Sequence, residues 1–331
     1  PGRSGGALPG RSAGALPVLA GAVGLAAALA LLTSRRTGIA AARRPRNVVF
    51  LGATKGMGRA LARHLAVDGA RFALLGRSLD DLARTAADLT VRAGGAAALD
   101  ALPDSAPSPH ADASSARADD AAMDGLDDDA RIIADHLVVR CDLADPTTFA
   151  PALDAAAAFF DGPIDAVVVT AGVFATQEAL EADLDRLGRL LTIDFTNTIL
   201  FCEHAKRHLL KADGGRSALC VFSSVAGERG RKPVALYGAA KAGLSRYLEA
   251  LDHRHHGDGL RVLCVKPGFV RTGMTAGLPA PPFAGEPEAV AAQVVRALER
   301  GAPEIYAPAI WRWVMLVIRQ LPRAVMRRVG F

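Results

Sequence analysis

Tyr237 and Lys241 stand four residues apart in VALYGAAKAGL, a spacing that brings a phenol and an ammonium to one face of a helix. With three tyrosines and six lysines in the chain, chance supplies such a pair in only about one sequence in twenty. Ser224 lies thirteen residues before the tyrosine, where the apolar run ALCVF gives way to two serines. A phenol of ordinary pKa, about 10, exchanges protons poorly at neutral pH unless a nearby cation stabilises its anion. Lys241 is that cation. A serine hydroxyl beside the phenol can donate a hydrogen bond to a carbonyl oxygen as negative charge gathers there. Ser224, Tyr237 and Lys241 together suit the interconversion of ketone and alcohol, in which hydride reaches carbon and a proton reaches oxygen.

Hydride needs a donor, and the sequence offers a place for one. After the apolar run NVVFL comes GATKGMG, in which Gly52, Gly56 and Gly58 surround Lys55 and Met57. Small residues between a strand and a helix let the backbone approach a pyrophosphate, which then rests on the positive end of the helix. At the end of the second apolar run stands LLGRS, with Arg77 where a fold that prefers NAD places an acid. Two cations, Lys55 and Arg77, and no acid favour the 2′-phosphate of NADP, with NAD possible.

These residues need elements to hold them. From Asn47 onward short apolar runs alternate with longer amphipathic stretches, the pattern of β-α-β units. It predicts strands near 47–52, 71–75, 137–141, 164–170, 217–222 and 261–266. Helices are predicted near 57–69, 79–92, 147–160, 185–212, 235–255 and 287–300. The fold class is therefore α/β, a single doubly wound Rossmann domain with a parallel sheet over 47–306. Residues 95–131, rich in Asp, Ala, Ser and Pro, read as a disordered acidic insertion.

Composition places limits on the rest. Half of the 331 residues are apolar and 22% are charged, which excludes a disordered or collagen-like chain. The four cysteines, Cys141, Cys202, Cys220 and Cys264, are widely spaced, with no cluster suited to a metal, and point to a reducing compartment. Of the 39 Lys and Arg, twelve fall in 1–46 and 310–331, which hold none of the 34 acids. Basic ends beside apolar stretches argue for an anionic membrane surface rather than nucleic acid.

Residues 13–32 carry no charge over twenty positions, the length of a spanning helix. The arginines that follow would leave the catalytic body in the cytoplasm; a cleaved signal peptide or an Ala/Gly-rich leader are the other readings. In the tail, 307–331, Arg312, Arg319, Arg323 and Arg327 share one helical face, with Val314, Val317, Ile318, Leu321 and Val325 on the other. Trp311 and Trp313 suit a water–lipid boundary, so the tail reads as an amphipathic segment at a membrane interface, broken at Pro322. The alternative is a terminal helix packed on the sheet or on a second subunit. The loop GMTAGLPAPPFAG, apolar and stiffened by proline, is a wall for a prenyl chain or an ordinary lid.

Over 47–306 the sequence resembles the short-chain dehydrogenase/reductases. The resemblance rests on the glycine loop, CDL with Asp142, TAG with Thr170, Ala171 and Gly172, the Ser224–Tyr237–Lys241 set and KPGFVRT. It implies that Ala171, Gly172 and Asp142 bind the cofactor, Asp142 at the adenine, and that Lys241 also binds the nicotinamide ribose. It further implies that Pro267, Gly268, Val270 and Thr272 hold the nicotinamide end, and that the long helices pair subunits into a homo-oligomer. Two positions depart from the family pattern: Thr170 replaces an asparagine, and Asp194 in TIDFTN replaces the asparagine of the proton relay. Asp194 is carried as a candidate that holds a relay water.

A narrower resemblance, over 222–331, is to keto-reductase subunits of decaprenylphosphoryl-ribose 2-epimerases. AGER, VRTGM and the WRWVM and PR stretches of the tail carry it. It implies reduction of a polyprenyl-phosphate-linked 2-keto pentose, with a flavin oxidase partner making the ketone. The leader, the acidic insertion and Arg77 depart from it. Another lipid ketone, such as 3-ketosphinganine, is the alternative substrate, and a catalytically silent nucleotide-binding scaffold is the alternative of another class.

Overall fold

A computed structural model describes residues 44–94, 129–211 and 217–328. The expected helix at 13–32 and nearly all of the acidic insertion lie outside the described residues. Among those described, no helix is long and apolar enough to cross a membrane.

Among the described residues eight strands form one sheet in the order β3-β4-β2-β1-β5-β6-β7-β8. They are β1 (Asn47–Leu51), β2 (Arg71–Gly76), β3 (Ala130–Ile133), β4 (His136–Arg140), β5 (Ala166–Val169), β6 (Ser217–Phe222), β7 (Leu260–Pro267) and β8 (Glu304–Ala307). Only β3 runs antiparallel, against β4. The central strands NVVFL, AVVV and SALCVF are uninterrupted apolar runs because helices cover both faces of the sheet.

One face is covered by α1 (Gly56–Ala66), α2 (Leu79–Gly94) and, after β7, α8 (Pro287–Arg300). The other is covered by α3 (Phe149–Phe159), α6 (Thr198–Leu209) and α7 (Ala235–His255). In α8 the buried Val290, Ala291, Val294, Val295, Ala297 and Leu298 recur at helical spacing. Pro287 sits in its first turn, and Gly301, in the left-handed conformation at φ +61°, ends it.

Two strands have no counterpart among the apolar runs of the sequence. The segment ARII of β3 lies at the end of the stretch read as disordered, and EIYA of β8 lies at the opposite edge. Each has four residues with a mixed burial pattern, too short to display a period. The helix expected over 185–212 is also broken. After α4 (Gln177–Ala182) come α5 (Leu184–Leu191), a π-helical turn over Thr192–Asn197 and then α6.

The tail packs on the body along one side and leaves the other exposed. It forms α9 (Ile310–Gln320) and α10 (Arg323–Met326), parted near Pro322 as expected. One face of α9, Trp311, Met315 and Ile318, packs on Val225, Phe269 and Tyr306 of the body, while Val317 is 62% exposed. Trp311 therefore serves packing rather than a lipid boundary, and 307–328 extends the domain.

One titratable group within the sheet yields a prediction. His136 is 2% exposed, and its Nδ1 accepts a hydrogen bond from the Phe72 amide at 3.3 Å. Burial pushes its pKa down from 6.5 to about 4. The fold thus favours the neutral ring, so this contribution to stability is full above pH 6.5 and is lost as pH falls toward 4. The loss reaches about 3 kcal/mol. Denaturant midpoints measured across that range should fall steeply, and less steeply in His136→Gln.

Candidate active site

The strand order reverses between β1 and β5, and in open α/β sheets ligands bind at the carboxyl ends of the strands flanking such a point. A cleft of about 570 Å³ opens there. Its wall includes Gly52, Lys55, Gly56, Met57 and Gly58 of the glycine loop, Arg77 after β2, Asp142 after β4, Ala171 and Gly172 after β5, and Thr272 after β7. The loop is shaped to let a phosphate approach. Gly52 has φ +102°, and a Cβ on Gly58 would fall 2.1 Å from the Gly52 carbonyl oxygen, so a side chain there forces the loop open. The residues present thus fit a dinucleotide, with the loop on its pyrophosphate at the start of α1.

Thr170 explains its own departure from the family pattern. Its hydroxyl donates to the Gly52 carbonyl at 2.9 Å, which ties the first turn of the loop to the end of β5.

Ser224 stands two residues past the end of β6 and caps a short helical turn, Val225–Glu228, by accepting from the Ala226 amide at 3.0 Å. Tyr237 and Lys241 lie in the first two turns of α7. Glycines let these pieces meet. A Cβ on Gly227 would lie 2.6 Å from the Ala242 nitrogen, and one on Gly238 would lie 2.7 Å from the Ala226 oxygen. The serine turn is thereby pressed directly onto the helix that carries the phenol and the ammonium.

Lys241 is 4% exposed. Its Nζ lies 3.4 Å from the Asp194 Oδ2, donates weakly to the Phe222 carbonyl at 3.5 Å and sits 5.7 Å from the Tyr237 ring centre. Asp194 is fully buried, and its Oδ1 accepts from the Val173 amide at 2.7 Å. The π turn puts it there. Within that turn Asp194 is held by the Val173 amide, and Asn197 donates to the Leu143 carbonyl at 2.6 Å. Phe195 packs where a Cβ on Gly243 would lie 2.6 Å away, which holds the turn against α7.

Burial works against each of these charges, and the partners decide the outcome. Desolvation opposes the Lys241 ammonium, yet the Asp194 carboxylate holds its pKa above the usual range. Burial pushes the Asp194 carboxyl up despite Lys241 and the Val173 amide. Burial likewise pushes Tyr237 up, opposed by Lys241 and by the Ser224 hydroxyl and reinforced by Asp194. A Cβ on Gly172 would come 3.0 Å from the Asp194 Oδ1 and 3.6 Å from the Lys241 Nζ. Gly172 is therefore where the cleft adjoins this charged pair.

Not every expected residue reaches the cleft. Of the four assigned to the nicotinamide end only Thr272 lines it. Val270 is 2% exposed within the apolar core. Gly268 lies under the Trp311 indole, where a Cβ would meet Nε1 at 2.1 Å, and Pro267 closes β7. Sequence reasoning missed Asp81, which lines the cleft beside Lys55 and Arg77 and pairs with Arg84 at 2.6 Å. It also missed the contact between the AGER turn and the tail. Glu228 pairs with Lys266 at 2.6 Å, accepts from the Tyr306 hydroxyl at 2.8 Å and pairs with Arg319 at 3.1 Å, while Arg229 donates to the Leu321 carbonyl at 2.8 Å. Only the three-dimensional fold brings those segments together.

A family model for short chain dehydrogenases matches residues 111–281. An uncharacterized oxidoreductase of Mycobacterium tuberculosis is 33% identical over 282 residues, which span 85% of this chain and 96% of the relative. The cis-4-hydroxycyclohexanecarboxylate dehydrogenase of Sinomonas cyclohexanicum is 36% identical over 162 residues, 47% of this chain and 64% of that enzyme. Among solved structures, the short-chain dehydrogenase from Sphingobium yanoikuyae in complex with NADPH aligns with a TM-score of 0.62 at 19% identity, over 86% of this chain and 96% of that one. A short-chain type dehydrogenase/reductase from Mycobacterium ulcerans aligns with a TM-score of 0.61 at 20% identity, over 80% and 88%. With a glycine-lined cleft at the reversal of the sheet, a serine, tyrosine and lysine gathered beside it, and these matches, the chain belongs to the short chain dehydrogenase family, the NAD(P)-dependent short-chain oxidoreductases.

Proposed function

We propose that this chain is an NADPH-dependent reductase of a keto group on a lipid-linked sugar, of the polyprenyl-phosphate 2-keto-pentose type. The observation that carries the reaction is the juxtaposition of Ser224 and Tyr237 with the buried Lys241–Asp194 pair at the edge of the nucleotide cleft. When bound, the reduced dinucleotide supplies the hydride. Tyr237 gives the ketone oxygen its proton from Oη, Ser224 donates a hydrogen bond to that oxygen as it gains charge, and the Lys241 ammonium stabilises the phenolate left behind. Asp194 keeps Lys241 charged within the protein.

The preference for NADPH rests on Lys55 and Arg77, which flank the cleft where the adenosine ribose of a dinucleotide would lie. The NADPH complex of the Sphingobium relative supports it. An arginine–phosphate contact contributes roughly 1.5–3 kcal/mol. Arg77→Ala should therefore raise the KM for NADPH about tenfold or more while leaving that for NADH nearly unchanged, as read from initial rates with each cofactor.

The lipid-linked substrate is supported by the loop over 273–285, whose exposed Met274 lines the cleft and whose Phe283 is exposed at Trp311, and by the AGER–tail contact. In this reading a partner flavin oxidase supplies the ketone and the chain works as a homo-oligomer paired through the helices around α6 and α7. The deciding experiment compares turnover of a prenyl-phosphate 2-keto pentofuranose with that of 3-ketosphinganine under NADPH. Preference for the sugar supports the proposal. Preference for ketosphinganine moves the assignment to the other lipid ketone, and cofactor binding without turnover of either leaves a nucleotide-binding scaffold.

A further inference from the structure

Beyond the catalytic cleft, the molecule has a second concavity. A groove of about 820 Å³ runs between α8 and α9, lined by Arg296, Arg300, Arg312, Arg319, Trp313 and Leu316 among others. Its acid, Glu304, is already engaged by Lys266. Arg319 is held at 3.1 Å by Glu228, and Arg312 lies over the Trp313 ring at 5.9 Å. From Ile305 to Arg328 the chain contains no acid.

Helix α9 is apolar on both sides. Its inner side is seated on the body through Trp311, Met315 and Ile318. Its outer side presents Ile310, Trp313, Leu316 and Val317, with Trp313 61% exposed. Leaving such side chains in water costs free energy that an ordinary surface helix avoids.

We propose that this outer side of α9, with the arginines of the groove beside it, docks on an anionic lipid bilayer. Charge selects that occupant. A second copy of the chain meeting this surface across a two-fold axis would set arginines against arginines. Nucleic acid would answer the arginines but not the apolar row, since its interfaces are polar and wet. An anionic bilayer answers both, taking the apolar side chains below its headgroups and the guanidinium groups among the phosphates.

The surface is also coupled to the cleft. The Trp311 indole donates to the Phe283 carbonyl at 3.2 Å, and the Phe283 ring stands edge-on to it at 6.5 Å. Docking would bring the loop over 273–285, and with it the approach past Met274, to the membrane. The inference deepens the lipid-linked reading of the substrate but requires no particular ketone.

The test uses the full chain and its two tryptophans, of which Trp311 is buried and Trp313 exposed. Vesicles of phosphatidylglycerol carrying brominated acyl chains should quench the Trp313 emission, and vesicles of brominated phosphatidylcholine alone should quench it far less. Trp313→Phe should abolish the quenching while NADPH binding stays unchanged. Replacing Arg296, Arg300 and Arg312 by glutamine should weaken vesicle binding about fivefold for each charge removed. Binding to the brominated vesicles without quenching would overturn the proposal by showing that another segment docks. A dimer in sedimentation that Trp313→Ser dissociates would overturn it in favour of a second copy. A chain whose Trp313 enters the bilayer yet which reduces no lipid-linked ketone sinks the proposed substrate and upholds this surface.

Discussion

Tyr237→Phe should lower turnover in ketone reduction by about three orders of magnitude while leaving NADPH affinity within about twofold. Positioned proton transfer contributes roughly 10²–10⁴-fold to such reactions, and the phenol is placed to make that transfer: it lies next to the Ser224 hydroxyl and over the Lys241 ammonium. Phenylalanine keeps the ring, and with it the edge-on contact to Phe174 at 5.2 Å, so the packing of α7 survives. The cleft residues that would hold the nucleotide are contributed by other loops. Stopped-flow binding of NADPH together with steady-state turnover separates the two effects. Turnover within tenfold of the parent would remove Tyr237 from the chemistry, and loss of cofactor binding would show that the substitution disturbs the cleft itself.

The parts of this site that were legible in the sequence are those set by local rules. Two residues four apart on a helix share a face wherever that helix lies, so the Tyr237–Lys241 relation survives any uncertainty about packing. A glycine loop between an apolar run and a helix is equally local, and its residues do line the cleft. The central strands were legible because burial on both faces removes polar interruptions. What escaped depends on segments distant in sequence. Nothing in the composition of TIDFTN marks a π turn; the turn is held by the buried contacts of Asp194 and Asn197 to other loops. The resemblance assigns Val270 to the nicotinamide end; its side chain fills the core beside α8, so any such contact falls to its backbone. The tail showed its arginine stripe in sequence, but which apolar side faces the body is decided by Gly268, whose missing side chain leaves room for Trp311.

The same close packing gives the tail a role in shaping the site. The helical turn that begins at Ser224 ends at Glu228, and Glu228 is where the body grips α9 through Tyr306 and Arg319. Burial pushes the Glu228 carboxyl up, but hydrogen bonds from Lys266 and Tyr306 hold it below the usual carboxylate range. Its contribution to stability is therefore present above its ordinary pKa of 4.5 and is lost as pH falls below that value. Ser224 is thus braced on one side by α7 and on the other, through Glu228, by α9.

Asp194→Asn should have the second large effect, through Lys241. A buried cation that loses its counter-charge costs roughly 3–5 kcal/mol, and Lys241, at 4% exposure, has only Asp194 as a charged partner within ion-pair distance among the described residues. Global stability should fall by about that amount, read from denaturant unfolding at neutral pH. The chemistry should move in a direction that a purely structural loss does not predict. The Asp194 carboxylate raises the Tyr237 pKa by opposing the lysine's field, so its neutralisation leaves more of that field at the phenol. Reduction requires the phenol protonated. The alkaline limb of the pH profile for kcat should therefore shift to lower pH, and the same variant should oxidise the alcohol faster near neutrality. An unchanged limb with lowered stability would confine Asp194 to holding the π turn in place. A limb displaced upward would mean that Lys241 had lost its own proton once its partner was gone, since a neutral amine no longer stabilises the phenolate.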